Sequence, residues 1–244
     1  MSDAIMAAES VSKVLGSGAG QVHALKDINL TLRGGELTML MGPSGSGKTT
    51  LLSVLGCMLA PTAGTVQVCG QSTEGAGAEK LAAIRRDHIG FIFQNYHLFP
   101  TLTAGENVQL ALDVRGQRGR NARSKAYEAL ARVGLAHKIP SYPGELSGGE
   151  QQRVAIARAI VSDPSAILAD EPTAALDGAN GQSILSILAA TARDPNRSVL
   201  VVTHDSRLTS FANRIITIED GRLTGERRGS SGTPKLLTAA GDGY

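Results

Sequence analysis

The sequence predicts an α/β protein with a mostly parallel β-sheet flanked by helices. Two observations support this fold class. Short apolar runs, each about as long as a buried strand, alternate with segments of helical periodicity, as in a parallel sheet whose strands are joined by helices. In addition, 42% of the residues are hydrophobic and 19% are charged, which is ordinary for a globular protein with a sizeable core.

The predicted elements follow in chain order. Short apolar runs predict buried strands at residues 37–41, 65–68, 88–93, 166–169, 198–202 and 214–218. Helical patterns begin near residue 48, span 150–161 and follow residue 178. Residues 106–132 are rich in Ala and Leu and helical in pattern, so we interpret them as a small helical lobe inserted into the core. Beyond residue 228, Gly, Ser, Thr and Pro predict a poorly ordered tail.

The composition narrows the classes of function. A formal net charge of +2 over 244 residues disfavours a nucleic-acid partner, because general nucleic-acid binders are usually strongly basic. No apolar stretch reaches the roughly 20 residues that cross a bilayer, and the first ten residues lack the features of a signal peptide. If the protein serves a membrane, we therefore expect it to act from the cytosolic side through a partner. Cys57 and Cys69 are expected to be buried thiols in a reducing cytosol.

A basic segment interrupts the helical lobe. Residues 115–120 read Arg-Gly-Gln-Arg-Gly-Arg. Such a segment can contact acidic lipid headgroups or a partner protein. A solvated loop is the favoured interpretation, because runs of charge most often face solvent.

The first candidate site is a phosphate loop between the strand at residues 37–41 and the next helix. The pattern G-x-x-x-x-G-K-[S/T] is matched in full by Gly42, Pro43, Ser44, Gly45, Ser46, Gly47, Lys48 and Thr49. Glycines let backbone N–H groups surround phosphates, and the following helix adds its positive N-terminal end. We expect Lys48 to bridge the outer phosphates, Thr49 to hold Mg²⁺ and Thr50 to belong to the same nucleotide-binding set. A chance glycine-rich turn is the disfavoured alternative.

The second candidate site is a pair of carboxylates at the end of the apolar strand at residues 166–169. Asp170 can orient Mg²⁺, directly or through water, if this strand tip lies beside the phosphate loop. Glu171 is one residue further on and points elsewhere, so it can accept a proton from the water that attacks the γ-phosphate. The alternative is a solvated acidic pair, which the presence of the phosphate loop disfavours.

A third motif identifies the family that the chain resembles. Residues 146–153 read Leu-Ser-Gly-Gly-Glu-Gln-Gln-Arg, which matches the LSGGQ or LSGGE signature of ABC transporter nucleotide-binding subunits. The resemblance covers roughly residues 4–228, and the motifs occur in the family's order. Gln94 matches the Q-loop, residues 174–177 (Ala-Ala-Leu-Asp) match the D-loop, and His204 matches the switch histidine. Six motifs in register leave little room for coincidence.

The resemblance implies an architecture and an assembly. It implies a P-loop NTPase with a RecA-like core, an N-terminal antiparallel β subdomain and an inserted α-helical signature subdomain. The core is expected at residues 4–94 and 155–228, the helical lobe at about 95–154 and a flexible tail at 229–244. The family also implies ATP and Mg²⁺ as ligands, a homodimer, and separate integral membrane permease subunits. The chain would then be peripheral, on the cytoplasmic face of the inner (plasma) membrane.

The resemblance also assigns residues to the interface of the dimer. Two ATP molecules would lie between the Walker motifs of one subunit and the signature of the other, in a symmetric arrangement. Ser147, Gly148 and Gly149 would contact the ATP of the other subunit, because they open a helix whose N-terminus attracts anions. Asp177 would link the two sites across the dimer. Residues 96–100 would line the groove that receives a cytoplasmic segment of the membrane subunit.

The remaining catalytic roles follow from the same resemblance. Gln94 would contact Mg²⁺ or the attacking water and lie where the core meets the helical lobe. His204 would contact the γ-phosphate and help Glu171 to hold the reactive geometry. Together with Lys48, these residues form the expected catalytic set.

The chain departs from the family pattern at two positions. Many relatives carry an N-terminal Tyr or Phe that stacks on adenine, whereas Leu15 and its neighbours offer no aromatic ring. Leu15 can supply apolar contact only, so weak discrimination between ATP and GTP is expected. A substitute ring from His23 is the disfavoured alternative. Ala174 also replaces a Ser that is frequent in the D-loop, which we expect to tune activity and not to abolish it.

Residues 93–103 and 171–177 are most similar to one subgroup, the macrolide-efflux, lipoprotein-release and glycolipid-export ATPases. This similarity implies ATP hydrolysis that drives export or extraction of an amphipathic substrate through separate membrane subunits. A signalling ABC ATPase, which acts on a membrane partner without transport as in cell division, shares every motif and is the alternative. A soluble DNA-repair or translation ATPase is disfavoured, because it would need long insertions or a second cassette.

Overall fold

A computed structural model describes residues 4–229 of the protein, so the predicted tail lies outside the described residues from position 230 onward. The strands are β1 Ala4–Leu15, β2 Val22–Arg33, β3 Leu37–Met41, β4 Ala63–Val68, β5 Gln71–Ser72, β6 Ile89–Ile92, β7 Ala166–Asp170, β8 Ser198–Val202, β9 Arg214–Glu219 and β10 Arg222–Arg228. The α-helices are α1 Lys48–Leu55, α2 Ala78–His88, α3 Ala104–Asp113, α4 Gly119–Arg132, α5 Gly148–Ile160 and α6 Gly178–Ala192. Within residues 4–229, none of these helices has the length and apolar character of a membrane span.

The strands form two sheets. The central sheet has the order β10-β9-β3-β8-β7-β6, in which β9 to β6 are parallel and β10 is an antiparallel edge strand. The second sheet has the order β2-β1-β4-β5 and is antiparallel. The mostly parallel central sheet confirms the predicted fold class, and the antiparallel sheet confirms the N-terminal subdomain that the resemblance implied.

The central strands are buried on both faces, as expected for a parallel sheet covered by helices. Every residue of β8 is buried. Met39 of β3 and Val201 of β8 point to the face where α5 and α6 pack. Leu40, which follows Met39, and Leu200, which precedes Val201, point to the opposite face, which α1 and the antiparallel sheet cover. The alternation of side chains along each strand therefore builds two hydrophobic layers around one sheet.

Helices α3, α4 and α5 pack against one another as a helical layer. Their starts are fixed by sequence at two places, because Thr103 with Glu106 and Ser147 with Glu150 form capping boxes at α3 and α5. Helix α4 buries only Ala122, Ala126, Ala129 and Leu130. Helix α5 runs without interruption through residues 154 and 155, where the sequence interpretation divides lobe from core.

The basic segment is not simply solvated, which corrects the favoured interpretation for Arg115. The guanidinium of Arg115 is partly buried and donates to the carbonyl oxygens of Arg86 (2.6 Å), Asp87 (3.0 Å) and Ser162. It thus connects the end of α3 to the end of α2 and to the residues that follow α5. Arg118 and Arg120 are exposed, as predicted.

The two cysteines differ in burial. Cys57 is buried as expected, and this burial raises the pKa of its thiol to about 11, which keeps it protonated and unreactive. The expectation of a buried thiol is wrong for Cys69, which is half-buried because it lies in the turn between β4 and β5 with φ +48°.

Candidate functional site

The carboxyl ends of four parallel strands bring the predicted site residues together. The phosphate loop follows β3, and Asp170 is the last residue of β7. Val202, the last residue of β8, is in register with Leu40 and with Asp170, so His204 emerges between the other two segments. Ile92 of β6 is in register with Ala169, so Gln94 leaves the sheet beside the two carboxylates. Each of these polar residues thus lies at the carboxyl end of a short apolar strand, at the same edge of the central sheet.

The phosphate loop has the backbone conformation that its glycines predict. Gly47 has φ +104°, and a Cβ at this position would lie 2.5 Å from the carbonyl oxygen of Ala24. Gly45 has φ +79° and faces open space. The Nζ atom of Lys48 donates to the carbonyl oxygens of Gly42 and Pro43, at 2.9 and 2.7 Å. The ammonium group is therefore held against the loop, at the position where phosphate oxygens can replace the carbonyls as its partners.

The hydroxyl of Ser46 is a buried polar group without a partner. Its side chain is 3% exposed, and no hydrogen-bond partner for Oγ is found among residues 4–229. Buried hydroxyls are normally satisfied, and leaving one unpaired is costly. The phosphate loop therefore contains an unsatisfied buried hydroxyl, although Ser46 itself does not line the cavity beside the loop.

Thr49 and Asp170 meet at the end of the loop. The Thr49 hydroxyl donates to Oδ1 of Asp170 at 3.4 Å. Burial raises the pKa of the Asp170 carboxyl, and the Thr49 hydrogen bond opposes this shift. No group of three or more His, Cys, Asp or Glu side chains is arranged to hold a metal ion within the described part of the chain. Two oxygen donors fit Mg²⁺, which binds few protein ligands and completes its shell with phosphate oxygens and water.

Glu171 and His204 form a hydrogen-bonded pair. The Nδ1 atom of His204 lies 3.0 Å from Oε1 of Glu171. Glu171 has φ +44°, and its N–H donates to the carbonyl oxygen of Val202 at 2.9 Å. A left-handed conformation costs a non-glycine residue about 1–3 kcal/mol, and such strain is concentrated at functional sites. The strained backbone turns the Glu171 side chain away from Asp170 and toward His204.

These residues line one large open cavity of about 1080 Å³. Lys48, Thr49, Thr50, Glu171 and His204 lie on its wall, together with Ser44, Gly45 and Gly47. The predicted residues that do not line it are Gly42, Pro43, Ser46, Gln94, Asp170, Asp177 and the three signature residues. The structure thus brings half of the predicted set into one cavity. Gln94 is exposed beyond the end of β6.

The far end of the cavity is an apolar ledge. Leu15 lies there, paired across the antiparallel sheet with Val22. Their exposed fractions of 38% and 60% are high for large apolar side chains. His23 also lines the cavity, and Lys26 lies nearby on β2. No Phe, Tyr or Trp is among the described residues that line this wall. Sequence reasoning missed Val22, because nothing in its own neighbourhood marks it as part of a site.

The signature residues pack on the D-loop and the Q-loop segment of the same chain. A Cβ on Gly148 would lie 2.9 Å from the hydroxyl of Tyr96, and one on Gly149 would lie 3.4 Å from Oδ1 of Asn180. Asp177 caps α6 by accepting from the N–H and the side chain of Asn180, both at 2.9 Å. This backbone N–H lowers the pKa of the Asp177 carboxyl. Ser147, Gly148 and Gly149 are thus presented at the start of α5 without reaching their own phosphate loop cavity.

A groove of about 440 Å³ lies between the core and the helical layer. Of residues 96–100, His97 and Phe99 line it, and Phe91, Phe93 and Val114 extend its apolar wall. The guanidinium of Arg158 donates to the carbonyl oxygens of Tyr96 and His97, at 2.7 and 2.6 Å. Both residues have positive φ, so Arg158 stabilises an unusual backbone at the edge of the groove.

Comparison with known families agrees with this site. A family model described as ABC transporter matches residues 25–174. Among curated proteins, the macrolide export ATP-binding/permease protein MacB of Rhodopseudomonas palustris (strain HaA2) is 46% identical over 226 residues, 93% of this chain and 34% of that protein. MacB of Salmonella choleraesuis is 44% identical over 214 residues, 88% of this chain and 33% of that protein. The chain thus spans about a third of the length of the curated relatives it matches.

Solved structures give the same result. The ATP-binding cassette MJ0796, solved as a dimer in a post-hydrolysis state with ADP and Pi, is 40% identical with a TM-score of 0.85. That comparison covers 93% of this chain and 99% of MJ0796. CbiO1 of Clostridium perfringens, part of the ABC transporter complex cbiONQ, is 26% identical with a TM-score of 0.81, over 93% of this chain and 89% of that one.

Proposed function

The chain belongs to the ABC transporter family, and from this premise we propose that it binds and hydrolyses ATP to drive a membrane transporter. The observation that carries this proposal is the Glu171–His204 pair, 3.0 Å apart on the wall of the cavity that holds the phosphate loop. A nucleotide-binding module without catalysis would not need a general base held in a strained conformation beside a phosphate site.

The chemical step follows from the residues around the phosphates. Lys48 exchanges its carbonyl partners for phosphate oxygens, and the N–H groups of the loop neutralise further charge. Thr49 and Asp170 would hold Mg²⁺, which neutralises phosphate charge when it is bound. Glu171 accepts a proton from the water that attacks the γ-phosphate, while Gln94 positions that water or contacts the metal. His204 is engaged through Nδ1 with Glu171, so its Nε2 atom is left to contact the γ-phosphate.

The signature supports a dimer with shared sites. Ser147, Gly148 and Gly149 do not line the cavity of their own chain, although they open a helix and present a hydroxyl. We propose that they bind the ATP of a second copy, so that two ATP molecules hold the dimer and Asp177 connects the two sites. The solved dimer of the relative MJ0796 supports this arrangement. ATP favours the closed dimer because both surfaces contact it, and hydrolysis removes that preference.

The membrane partner is proposed from the groove. Its apolar wall of Phe91, Phe93, Phe99 and Val114, edged by arginines, fits a short segment of a membrane subunit. The relatives named MacB are described as export ATP-binding/permease proteins, which supports export or extraction of an amphipathic substrate. The chain would work at the cytoplasmic face of the membrane. ATP hydrolysis would take place in the core, residues 4–94 and 155–228. The helical lobe at about 95–154 would couple hydrolysis to the membrane subunit.

Phosphate release tests the proposed chemistry. The purified chain and its Glu171→Gln, His204→Ala and Lys48→Ala variants are incubated with ATP, with and without Mg²⁺. We expect Mg²⁺-dependent hydrolysis by the parent, a loss of at least about 100-fold in the Glu171→Gln variant, which keeps the side-chain shape, and losses in the other two. Hydrolysis by Glu171→Gln at the parent rate would show that Glu171 is not the base.

A further inference from the structure

The basic segment that the proposed chemistry does not use extends beyond residues 115–120. Residues 114–125 contain five cations and no acidic residue, although the net charge of the whole chain is only +2. The cations are Arg115, Arg118, Arg120, Arg123 and Lys125. The rest of the chain is therefore net negative.

Four of these five cations face solvent. Arg115 is bound to main-chain carbonyls, whereas Arg118, Arg120, Arg123 and Lys125 are exposed. None of the four forms a salt bridge within residues 4–229. The Lys125 ammonium donates to the uncharged Oε1 of Gln117 at 3.1 Å. Their charge is thus not neutralised by the fold.

Glu106, a carboxylate near Arg123, already has hydrogen-bond partners of its own. Glu106 accepts from the N–H and the hydroxyl of Thr103, at 2.8 and 2.9 Å, in the capping box of α3. These hydrogen bonds lower the pKa of Glu106, and the nearby charge of Arg123 contributes further. Since Glu106 is required at the helix start, it is not free to pair with the rest of the segment.

An exposed apolar side chain lies next to the cations. Val114 is 63% exposed and Phe99 is 50% exposed, and both line the groove proposed to receive the membrane subunit. A surface that combines exposed apolar side chains with several cations is suited to the interface of an anionic bilayer. Its continuity with the groove places it on the side of the molecule that faces the membrane partner.

We propose that Val114, Arg118, Arg120, Arg123 and Lys125, here called the basic surface, bind the acidic headgroups of the bilayer that holds the membrane subunit. The orientation of this surface toward a bilayer rests on the proposed function. Binding would bring the subunit to the membrane and align its groove with the partner. The attraction is electrostatic, so it should weaken as salt screens the charges.

Vesicle sedimentation of the whole chain tests this proposal without a partner. The parent is mixed with vesicles of phosphatidylcholine alone, or with vesicles in which roughly a third of the lipid is phosphatidylglycerol. The test variant is Arg118→Gln, Arg120→Gln, Arg123→Gln and Lys125→Gln combined. The matched control removes four other exposed cations by Lys80→Gln, Arg193→Gln, Arg222→Gln and Arg227→Gln. Basal ATP hydrolysis of each protein is measured in parallel.

We expect the parent and the control to bind only the anionic vesicles, and the test variant to bind them at least about tenfold more weakly, because each cation near an anionic surface contributes severalfold. Basal hydrolysis should be unchanged, which separates this result from a failure of the proposed function. Equal binding by parent and test variant, or no binding by the parent, would overturn the proposal. The proposal would also be overturned if the test variant bound vesicles as the parent does but lost the stimulation of its hydrolysis by the membrane partner in detergent. The basic surface would then bind a protein segment and not lipid.

Discussion

Three residues of the candidate site are held in arrangements that cost free energy in the isolated chain. Glu171 has a left-handed backbone, the Asp170 carboxyl is partly buried, and the Ser46 hydroxyl has no partner among the described residues. None of these features improves packing of the core. They are consistent with a site that is completed by a ligand, because strained or unsatisfied groups persist mainly where function requires them.

The cost of burying Asp170 predicts a pH-dependent gain in stability for Asp170→Asn. A raised pKa in the folded state means that stability is lost as the pH rises through that pKa and Asp170 ionises. Without nucleotide and Mg²⁺, the variant should therefore melt at a higher temperature than the parent at neutral pH. The difference should vanish below the pKa of unfolded Asp. Thermal unfolding followed from neutral to acidic pH measures it.

Asp177→Asn is the matched control, and its expected change in stability at neutral pH has the opposite sign. The pKa of Asp177 is lowered by the N–H of Asn180, so its contribution to stability is present above the unfolded pKa and is lost as the pH falls. This variant should be less stable than the parent at neutral pH and equal to it in acid. A lower melting temperature for Asp170→Asn at neutral pH would contradict the interpretation of Asp170.

The apolar ledge of Leu15 and Val22 predicts weak selection of the base. Aliphatic side chains contact any purine, so affinities for ATP and GTP should differ by less than about tenfold, which is 1.4 kcal/mol. Leu15→Tyr should tighten both nucleotides by about tenfold, because stacking on an aromatic ring contributes roughly 1–3 kcal/mol per base. Titration calorimetry measures both, with Leu15→Ala as the control. A large preference of the parent for ATP would contradict this account.

At the scale of elements, Arg115 fixes the end of α3 to two other segments. Its three acceptors are carbonyl oxygens at the end of α2 and beyond α5, so one guanidinium spans elements far apart in sequence. Lysine cannot reproduce this fork of donors. Since the interaction is polar and joins three segments, it acts on the stability of the lobe and not on the phosphate site.

Arg115→Ala should therefore lower the free energy of unfolding by about 1–2 kcal/mol, since charged hydrogen bonds to a partly buried group are lost. Arg115→Lys should recover only part of this loss. Arg118→Ala is the neighbouring control and should change stability little, because Arg118 is exposed. Urea denaturation measures all three. Equal stability of Arg115→Ala and Arg118→Ala would show that the carbonyl contacts do not stabilise the fold.

Elements that contain a buried apolar run could be predicted from the sequence, whereas elements without such a run could not. Strands β3 and β8 have the predicted bounds, because each is an apolar run buried on both faces. Helix α2 was not predicted, since it buries only Ile84 and has no apolar stripe. The edge strand β10 was missed for the same reason, as its residues are mostly exposed and polar.

In the candidate site, too, some features could be predicted from the sequence and others could not. Lys48, Thr49, Asp170 and Glu171 could be predicted because they follow apolar strands within short motifs. Glu171 follows β7 and His204 follows β8, so only the parallel pairing of those strands brings the two side chains together. The acceptors of Arg115 could not be predicted at all, because main-chain carbonyls leave no mark in the sequence.

At the scale of the whole molecule, one chain contains an incomplete site. The cavity is open, and the signature residues that the resemblance assigns to ATP lie on another surface of the same chain. A second copy can close the cavity by supplying its own signature, which makes ATP part of the interface. ATP should therefore control association, whereas ADP alone should not hold the dimer, since the contacts to the γ-phosphate are missing. The MJ0796 dimer reported above holds Pi together with ADP.

Light scattering of the Glu171→Gln variant with Mg²⁺-ATP tests this central claim most directly. The account predicts a monomer without nucleotide and with ADP, and a stable dimer with ATP, because the variant binds ATP but does not hydrolyse it. Ser147→Arg is the control, since a bulky cation in the signature should prevent the dimer without altering the phosphate loop. A Glu171→Gln variant that binds Mg²⁺-ATP yet remains monomeric, alone and with its membrane partner, would contradict the account.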